Sequence, residues 1–277
     1  MITVLGTTFQ NPILLAAGTA GFGRELADII PVDRLGGLVT KSVSPEPRAG
    51  HAAPRVAEFA GGMLNAVGLA NPGAGAVAER ELPWLATYCR HARVLVSVVG
   101  DTIEDYVSVV EALTTADIIT AFELNLSCPN TARGGEHFGA NPDVMAELIR
   151  RCADVTPRPL VAKLAPTLPD IAATAAVAAR AGARAISLVN TVPGWGGVGA
   201  GQGGVSGPPL LPIGLLAVRR VRDAVEVPLI GMGGIRNLDD VEAYQQAGAT
   251  LTAIGTAAMA DPHLPVRLAA AWVRRHG

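Results

Sequence analysis

The chain has 277 residues, 49% of them hydrophobic, enough for one sizeable core at a length that suits a single α/β barrel domain. Its 22 basic and 24 acidic residues leave a net charge of −2, so no broad field draws it to nucleic acid or an anionic membrane, and a small-molecule partner is the default. No apolar run approaches the roughly 18 residues of a membrane span, and MITVLGTTFQNPILL lacks the basic region and cleavage site of a signal peptide, so we expect a cytoplasmic protein.

In chain order, MITVLGTTFQ reads as a small hairpin closing one end of the fold. Short β-rich runs then recur, each followed by an alanine-rich helical segment: ILLAAG (13–18), GLVTKS (37–42), VLVSVVG (94–100), FELNLS (122–127), LVAKLA (160–165), AISLVN (185–190), PLIGMGG (228–234) and TLTAIGT (250–256). Eight such alternations predict a parallel sheet closed into a (β/α)8 TIM barrel forming one domain over 1–277, with an open doubly wound sheet as the alternative. Helical spacing is clearest at 102–116, 141–153, 168–181, 210–224, 238–247 and 264–275, with Asp101, Asn141 and Asn237 as N-caps and Gly182 and Gly248 as stops.

Two segments break the rhythm. From Val43 to about Leu82 the chain exceeds what a βα loop requires, and we expect an excursion over the C-terminal barrel mouth. GWGGVGAGQGGVSG (194–207) has eight glycines in fourteen residues, which suits a mobile lid or a backbone that approaches a ligand closely. Its two GxGxxG matches do not stand between a strand and the helix it opens, so they are not a dinucleotide fingerprint. Neither a P-loop nor a GxSxG elbow occurs.

Chemistry in a barrel gathers where the strands end. There the sequence places Ala17 and Gly18, Lys41 and Ser42, Asn125 with Ser127 and Cys128, Lys163, Asn190 and Thr191, Gly233 and Gly234, and Gly255 and Thr256. Lys163, inside the apolar LVAKLA, needs an anion or an acceptor if it is buried. GMGG and IGT, with GGVSG (203–207) and its Gly207 as a third wall, read as a phosphate cradle of unhindered N–H groups.

The three cysteines have neither CxxC spacing nor histidines at metal-ligand distances, so we expect no disulfide framework and no metal on this chain. Cys89 and Cys152, in helical stretches, read as small buried hydrophobes. Cys128 follows a strand that Pro129 stops, and TARGGEHFG after it has the glycine content of a movable loop. A thiol there can serve as nucleophile or general base, while His137 reads as an exposed loop residue. Asn65, Asn125, Asn130 and Asn190 each offer an uncharged donor and acceptor, which suits the N–H and C=O edges of a planar heterocycle; Thr191 and Lys41 add a place for a carboxylate.

These residues stand in NPILLAAGTAGFGRE, TKSVSPEPRAGHAAPRVAE, GMLNAVGLANPG, ELNLSCPN, KLAP, VNT, GGVSGP, IGMGG and IGTA. In this order the motifs resemble class 1 dihydroorotate dehydrogenases, in particular the catalytic subunit of the NAD-linked class 1B enzymes, from about residue 5 to residue 262. The resemblance implies a (β/α)8 barrel that binds FMN and oxidises dihydroorotate to orotate in pyrimidine biosynthesis. It implies that Cys128 removes the C5 proton of dihydroorotate as C6 delivers hydride to the flavin N5, with Ser127 supporting the catalytic loop. The membrane-associated class 2 relatives use serine as the base.

By the same resemblance, Asn65, Asn125, Asn130, Asn190 and Thr191 bind the pyrimidine ring and carboxylate, Lys163 lies at the flavin N1/C2 edge, and Lys41 and Ser42 lie between flavin and substrate. Ala17, Gly18, Gly207, Gly233, Gly234, Gly255 and Thr256 would hold the FMN ring and phosphate, with Asn125 touching both ligands. The implied assembly is a homodimer core joined to a subunit carrying FAD and an iron–sulfur cluster, with NAD+ as final acceptor. Between Thr191 and Gly203 the chain departs from class 1B by being short and rich in glycine, with Trp195. A dihydropyrimidine oxidoreductase, which shares NTV and GGVSG, a Schiff-base aldolase using Lys163 and a non-catalytic phosphate-ligand barrel are the alternatives.

Overall fold

The structure, a computed structural model, describes residues 1–127, 129–130 and 136–277, with backbone alone at 129–130 and 136–137. β1 (Ile2–Val4) and β2 (Thr7–Phe9) pair antiparallel around Leu5 and Gly6, whose φ angles of 53° and 71° are the two positive values of a tight hairpin turn. β3 (Ile13–Leu15) and β4 (Gly37–Val39) begin the barrel, and β5 (Val56–Phe59) and β6 (Gly62–Asn65) leave it. The chain returns in β7 (Arg93–Val98) and β8 (Ile119–Asn125), makes a two-residue antiparallel pair of β9 (Pro129–Asn130) with β10 (Glu136–His137), and re-enters in β11 (Leu160–Leu164) and β12 (Ala185–Leu188). After an excursion through β13 (Val192–Trp195) and β14 (Gln202–Ser206), β15 (Leu229–Met232) and β16 (Leu251–Ile254) complete it. The strands close in the order β3-β4-β7-β8-β11-β12-β15-β16, every pair parallel, so the closed barrel holds and the open sheet does not.

Helices follow the strands on the outside. α1 (Arg24–Ala27), α2 (Gly73–Ala76) and α3 (Leu82–Tyr88) are short; α4 (Ile103–Leu113), α5 (Pro142–Asp154), α6 (Ile171–Ala181), α7 (Leu210–Arg222) and α8 (Leu238–Ala247) cover the sheet, and α9 (Thr256–Ala260) leads into α10 (Leu264–His276). Asn141 and Asn237 cap α5 and α8, accepting from Val144 N at 3.3 Å and Asp240 N at 2.9 Å. Gly182 and Gly248 stop α6 and α8 at φ 118° and 115°. Asp101 does not cap α4. Thr102 does, in a capping box with Asp105, because the Asp101 carboxylate is held by the Arg48 guanidinium at 2.9 and 3.2 Å. Likewise α6 starts at Ile171 instead of 168, where Asp170 supplies the cap.

Strand alternation sorts the barrel interior into tiers. Leu14, Val39, Leu95, Ala121, Val161, Ala185, Ile230 and Leu251 form one buried apolar cluster with Val4 and Phe9, so the hairpin plugs the N-terminal end as its sequence suggested. Two residues further along the same strands stand Ala16, Lys41, Ser97, Glu123, Lys163, Ser187, Met232 and Ala253. The interior therefore turns polar on five consecutive strands, β4 to β12 in barrel order, and stays small or apolar on the other three.

Above this tier lies a four-stranded antiparallel sheet, ordered β13-β14-β6-β5, built from both excursions. The glycine-rich stretch 194–207 thus forms most of a β-hairpin joined to β6: Gly204 lies opposite Asn65 and Ser206 opposite Met63. Its glycines allow close approach, since a Cβ on Gly203 would collide with the Asn65 carbonyl and one on Gly204 with Thr191 Oγ1.

Candidate active site

Between the strand ends and the antiparallel sheet lies a cavity of about 1210 Å³, more than one small ligand fills. Ala17, Gly18, Lys41, Ser42, Asn65, Asn125, Lys163, Asn190, Thr191, Gly207, Gly233, Gly234, Gly255 and Thr256 all line it, so residues spread over most of the chain meet in one place. Ser127 is not among the lining residues, and its hydroxyl is buried. Cys128 lies outside the described residues, and Asn130 is described by its backbone, which pairs with Glu136.

The polar wall is prearranged by hydrogen bonds. Asn190 Nδ2 donates to Asn125 Oδ1 at 3.3 Å, and Asn190 Oδ1 accepts from Thr191 N at 2.8 Å. Asn65 Nδ2 donates to the Gly204 carbonyl at 3.1 Å, tying the first excursion to the second. The Tyr106 hydroxyl donates to the Asn125 carbonyl at 2.6 Å and steadies the end of β8 from outside the barrel. Ser42 Oγ and Ser97 Oγ are 2.8 Å apart. Lys41 is half-buried, and that burial pulls its pKa below the usual lysine value against the opposing pull of Glu25, with Arg55 adding to the lowering.

Lys163 forms part of the cavity floor with 6% of its surface exposed, and its Nζ lies 3.5 Å from Oε1 of the fully buried Glu123. The anion that the buried lysine requires is therefore Glu123, one strand away, a residue passed over because it reads as part of the FELNLS strand. Ser187 Oγ donates to the other Glu123 oxygen at 2.7 Å.

In the same cavity, next to the strand that leads to Asn190, the glycine turns form a cradle. Gly207, Gly233 and Gly234 have φ of 99°, 115° and 75°, conformations that side chains rarely adopt. A Cβ on Gly234 would lie 2.6 Å from Leu211 N, whereas one on Gly18 would meet nothing within 4 Å. Tyr244 OH donates to the Met232 and Gly233 carbonyls at 2.9 and 2.8 Å, fixing the turn, and Thr256 Oγ1 donates to Ser206 Oγ at 2.8 Å. Arg236 lines the cavity beside Gly233 and Gly234 and was not legible as a site residue, since one exposed arginine after a turn carries no pattern. Bare amides, a hydroxyl and a guanidinium together fit a phosphate, and the remaining space and neutral polar wall fit a planar ring system such as flavin.

Cys89 and Cys152 are buried away from this cavity, and burial pushes both thiols up to about 12. Among the described residues no group of three or more His, Cys, Asp and Glu side chains is placed to hold a metal, and no helix is long and apolar enough to cross a membrane.

The profile of the dihydroorotate dehydrogenase family matches residues 1–271. The chain is 43% identical over 265 residues to the dihydroorotate dehydrogenase B (NAD(+)) catalytic subunit of Geobacillus kaustophilus, covering 93% of this chain and 84% of that one. It is 41% identical over 269 residues to the subunit of the same name from Alkaliphilus oremlandii, covering 94% and 88%. With that from Lachnoclostridium phytofermentans it shares 39% over 275 residues, covering 96% and 91%.

Proposed function

This chain belongs to the dihydroorotate dehydrogenase family, and we propose that its barrel mouth holds FMN and dihydroorotate together and oxidises dihydroorotate to orotate, as the catalytic component of an NAD-linked class 1B enzyme. The observation that carries the reading is one cavity lined together by glycine turns of positive φ, a buried lysine paired with Glu123 and a hydrogen-bonded asparagine pair.

Bound FMN supplies the acceptor for the hydride that leaves C6 of the substrate. The chain does the rest. Gly207, Gly233, Gly234, Gly255 and Thr256, with Arg236, hold the phosphate, and Ala17, Gly18 and Ser42 bound the ring. Lys163 keeps a positive charge against the ring edge, where preorganised charge stabilises the reduced state without reorganisation. Asn65, Asn125, Asn130, Asn190 and Thr191 orient the pyrimidine through its alternating donors and acceptors, and Lys41 meets the carboxylate. Cys128 takes the C5 proton on Sγ; an ordinary cysteine pKa of about 8.5 makes that thiol a more effective base near neutral pH than a serine hydroxyl. Ser127 steadies the loop that carries it.

The relatives are named catalytic subunits of NAD(+)-linked enzymes, which supports a separate partner subunit; in this proposal that partner carries FAD and an iron–sulfur cluster, passes the electrons to NAD+ and joins a homodimeric core in the cytoplasm. A second reading, a dihydropyrimidine without a carboxylate, rests on NTV (190–192) and GGVSG (203–207), which resemble a dihydropyrimidine oxidoreductase.

Anaerobic titration of the purified protein's visible spectrum with L-dihydroorotate, alongside Cys128→Ala and Cys128→Ser, tests the proposal. A yellow protein should bleach, and the alanine variant should keep its flavin while losing the bleaching. A protein that bleaches with dihydrouracil alone has the second activity, and one that stays colourless after FMN is added refutes the flavin reading.

A further inference from the structure

The polar tier of the barrel contains one charged group that the reaction as described does not use. Glu123 is 0% exposed and does not line the cavity, yet it sits directly behind Lys163, which does. A carboxylate in a barrel interior is costly unless it is paired and hydrogen-bonded. Glu123 is paired only in part. Oε2 accepts from Ser187 Oγ at 2.7 Å, while Oε1 makes no hydrogen bond among the described residues and faces Lys163 Nζ at 3.5 Å. Lys163 itself, at 6% exposed, donates no hydrogen bond within the described residues.

The pair is therefore close enough for strong charge coupling and too long to occupy the ammonium's donors. An ammonium with three donors, held from behind by a buried anion, presents those donors to whatever fills the cavity. We infer that Glu123 is a positioning residue that holds Lys163 at the cavity floor and sets, through it, the field felt by the flavin edge.

The inference rests on the flavin reading above. With FMN bound, the C6 hydride would bring two electrons and a proton to the ring, the C5 proton would go to Cys128, and Lys163 would offset the negative charge of the reduced ring edge. Neutralising Glu123 strips the lysine of its counter-charge and strengthens that opposition, so reduction becomes easier.

The test is the midpoint potential of bound FMN, measured by dye-coupled spectral titration, with the FMN Kd measured by fluorescence, in the wild type, Glu123→Gln, Lys163→Met and the double variant. We expect Glu123→Gln to raise the potential, shifting the reduced-to-oxidised ratio at least tenfold, about 30 mV for two electrons. In the Lys163→Met background the same change should shift it little, because Glu123 acts through the Lys163 ammonium beside it. An unchanged potential in Glu123→Gln with FMN bound at the wild-type stoichiometry overturns the inference, as does an equal shift in both backgrounds. If Glu123→Gln yields no folded flavoprotein, Glu123→Asp carries the test: drawing the charge back should raise the potential less but in the same direction, and no change refutes the role. A wild-type chain that binds no FMN defeats the flavin reading together with this one, an outcome distinct from a normal flavoprotein whose potential ignores Glu123.

Discussion

Asn190 Nδ2 donates to Asn125 Oδ1 across 3.3 Å, although the two residues are 65 positions apart and leave different barrel strands. Since Asn190 Oδ1 already accepts from Thr191 N, the amide orientations along this wall are set in sequence, and Asn125 keeps its Nδ2 donors for the cavity. A ligand carbonyl is the group that meets them.

Replacing Asn125 with alanine should lower kcat/KM for dihydroorotate by about 10- to 100-fold, as expected when donors are lost and the Asn190 amide is left unpaired. Steady-state kinetics with a dye acceptor, corrected for flavin content, checks it. A change below threefold would show that the wall does not recognise the substrate.

Lys163→Met should destabilise the flavin-free chain by about 3–5 kcal/mol by stranding the Glu123 carboxylate in the barrel. Ser187→Ala, which removes one hydrogen bond to that carboxylate, should cost about 1–3 kcal/mol. Urea unfolding followed by circular dichroism reads both. Equal losses in the two variants would argue against a charged pair at this depth.

Burial holds the Lys41 pKa in the folded chain below the unfolded value of 10.5. Between those two values the unfolded chain binds more protons, so the ligand-free fold gains stability as pH rises through that alkaline window, and Lys41→Met abolishes the gain. Over the same window the cation disappears, so KM for dihydroorotate should rise with pH in the wild type but not in Lys41→Arg, whose charge persists. A flat KM profile in the wild type removes Lys41 from carboxylate binding.

Gly234→Ala should weaken FMN binding at least tenfold, because φ 75° is strained for alanine and its Cβ would stand 2.6 Å from Leu211 N. Strain of this kind is worth about 1–3 kcal/mol. Fluorescence titration of the apoprotein with FMN measures it, and wild-type affinity would place the phosphate elsewhere.

The barrel was legible because a βα alternation is a local, repeated pattern, and each strand run carries enough β-branched and apolar residues to declare itself without its neighbours. Asn141, Asn237, Gly182 and Gly248 were legible for the same reason: capping and helix termination act within a few residues. The cavity-lining positions followed from a rule about where strands end. Once closure of the barrel was granted, their convergence was implied.

What depended on partners distant in sequence was not legible. Asp101 and Thr102 are adjacent candidates for one cap, and only Arg48, 53 residues away, claims the first and leaves the second. The glycines at 194–207 suited a mobile lid or a close-approaching backbone and showed no strand, because a stretch with few side chains has no alternation, whereas β6 supplies the backbone partners that make it a sheet. Glu123 looked like one polar residue in an apolar strand. Barrel closure turned it inward and set it behind Lys163, where burial converts two unremarkable charges into a coupled pair. Local pattern and motif were enough for the barrel strands, their order and the family, because each is encoded within a few residues. Tertiary structure alone decided which charges and amides face one another, because that is settled by strand parity and long-range closure.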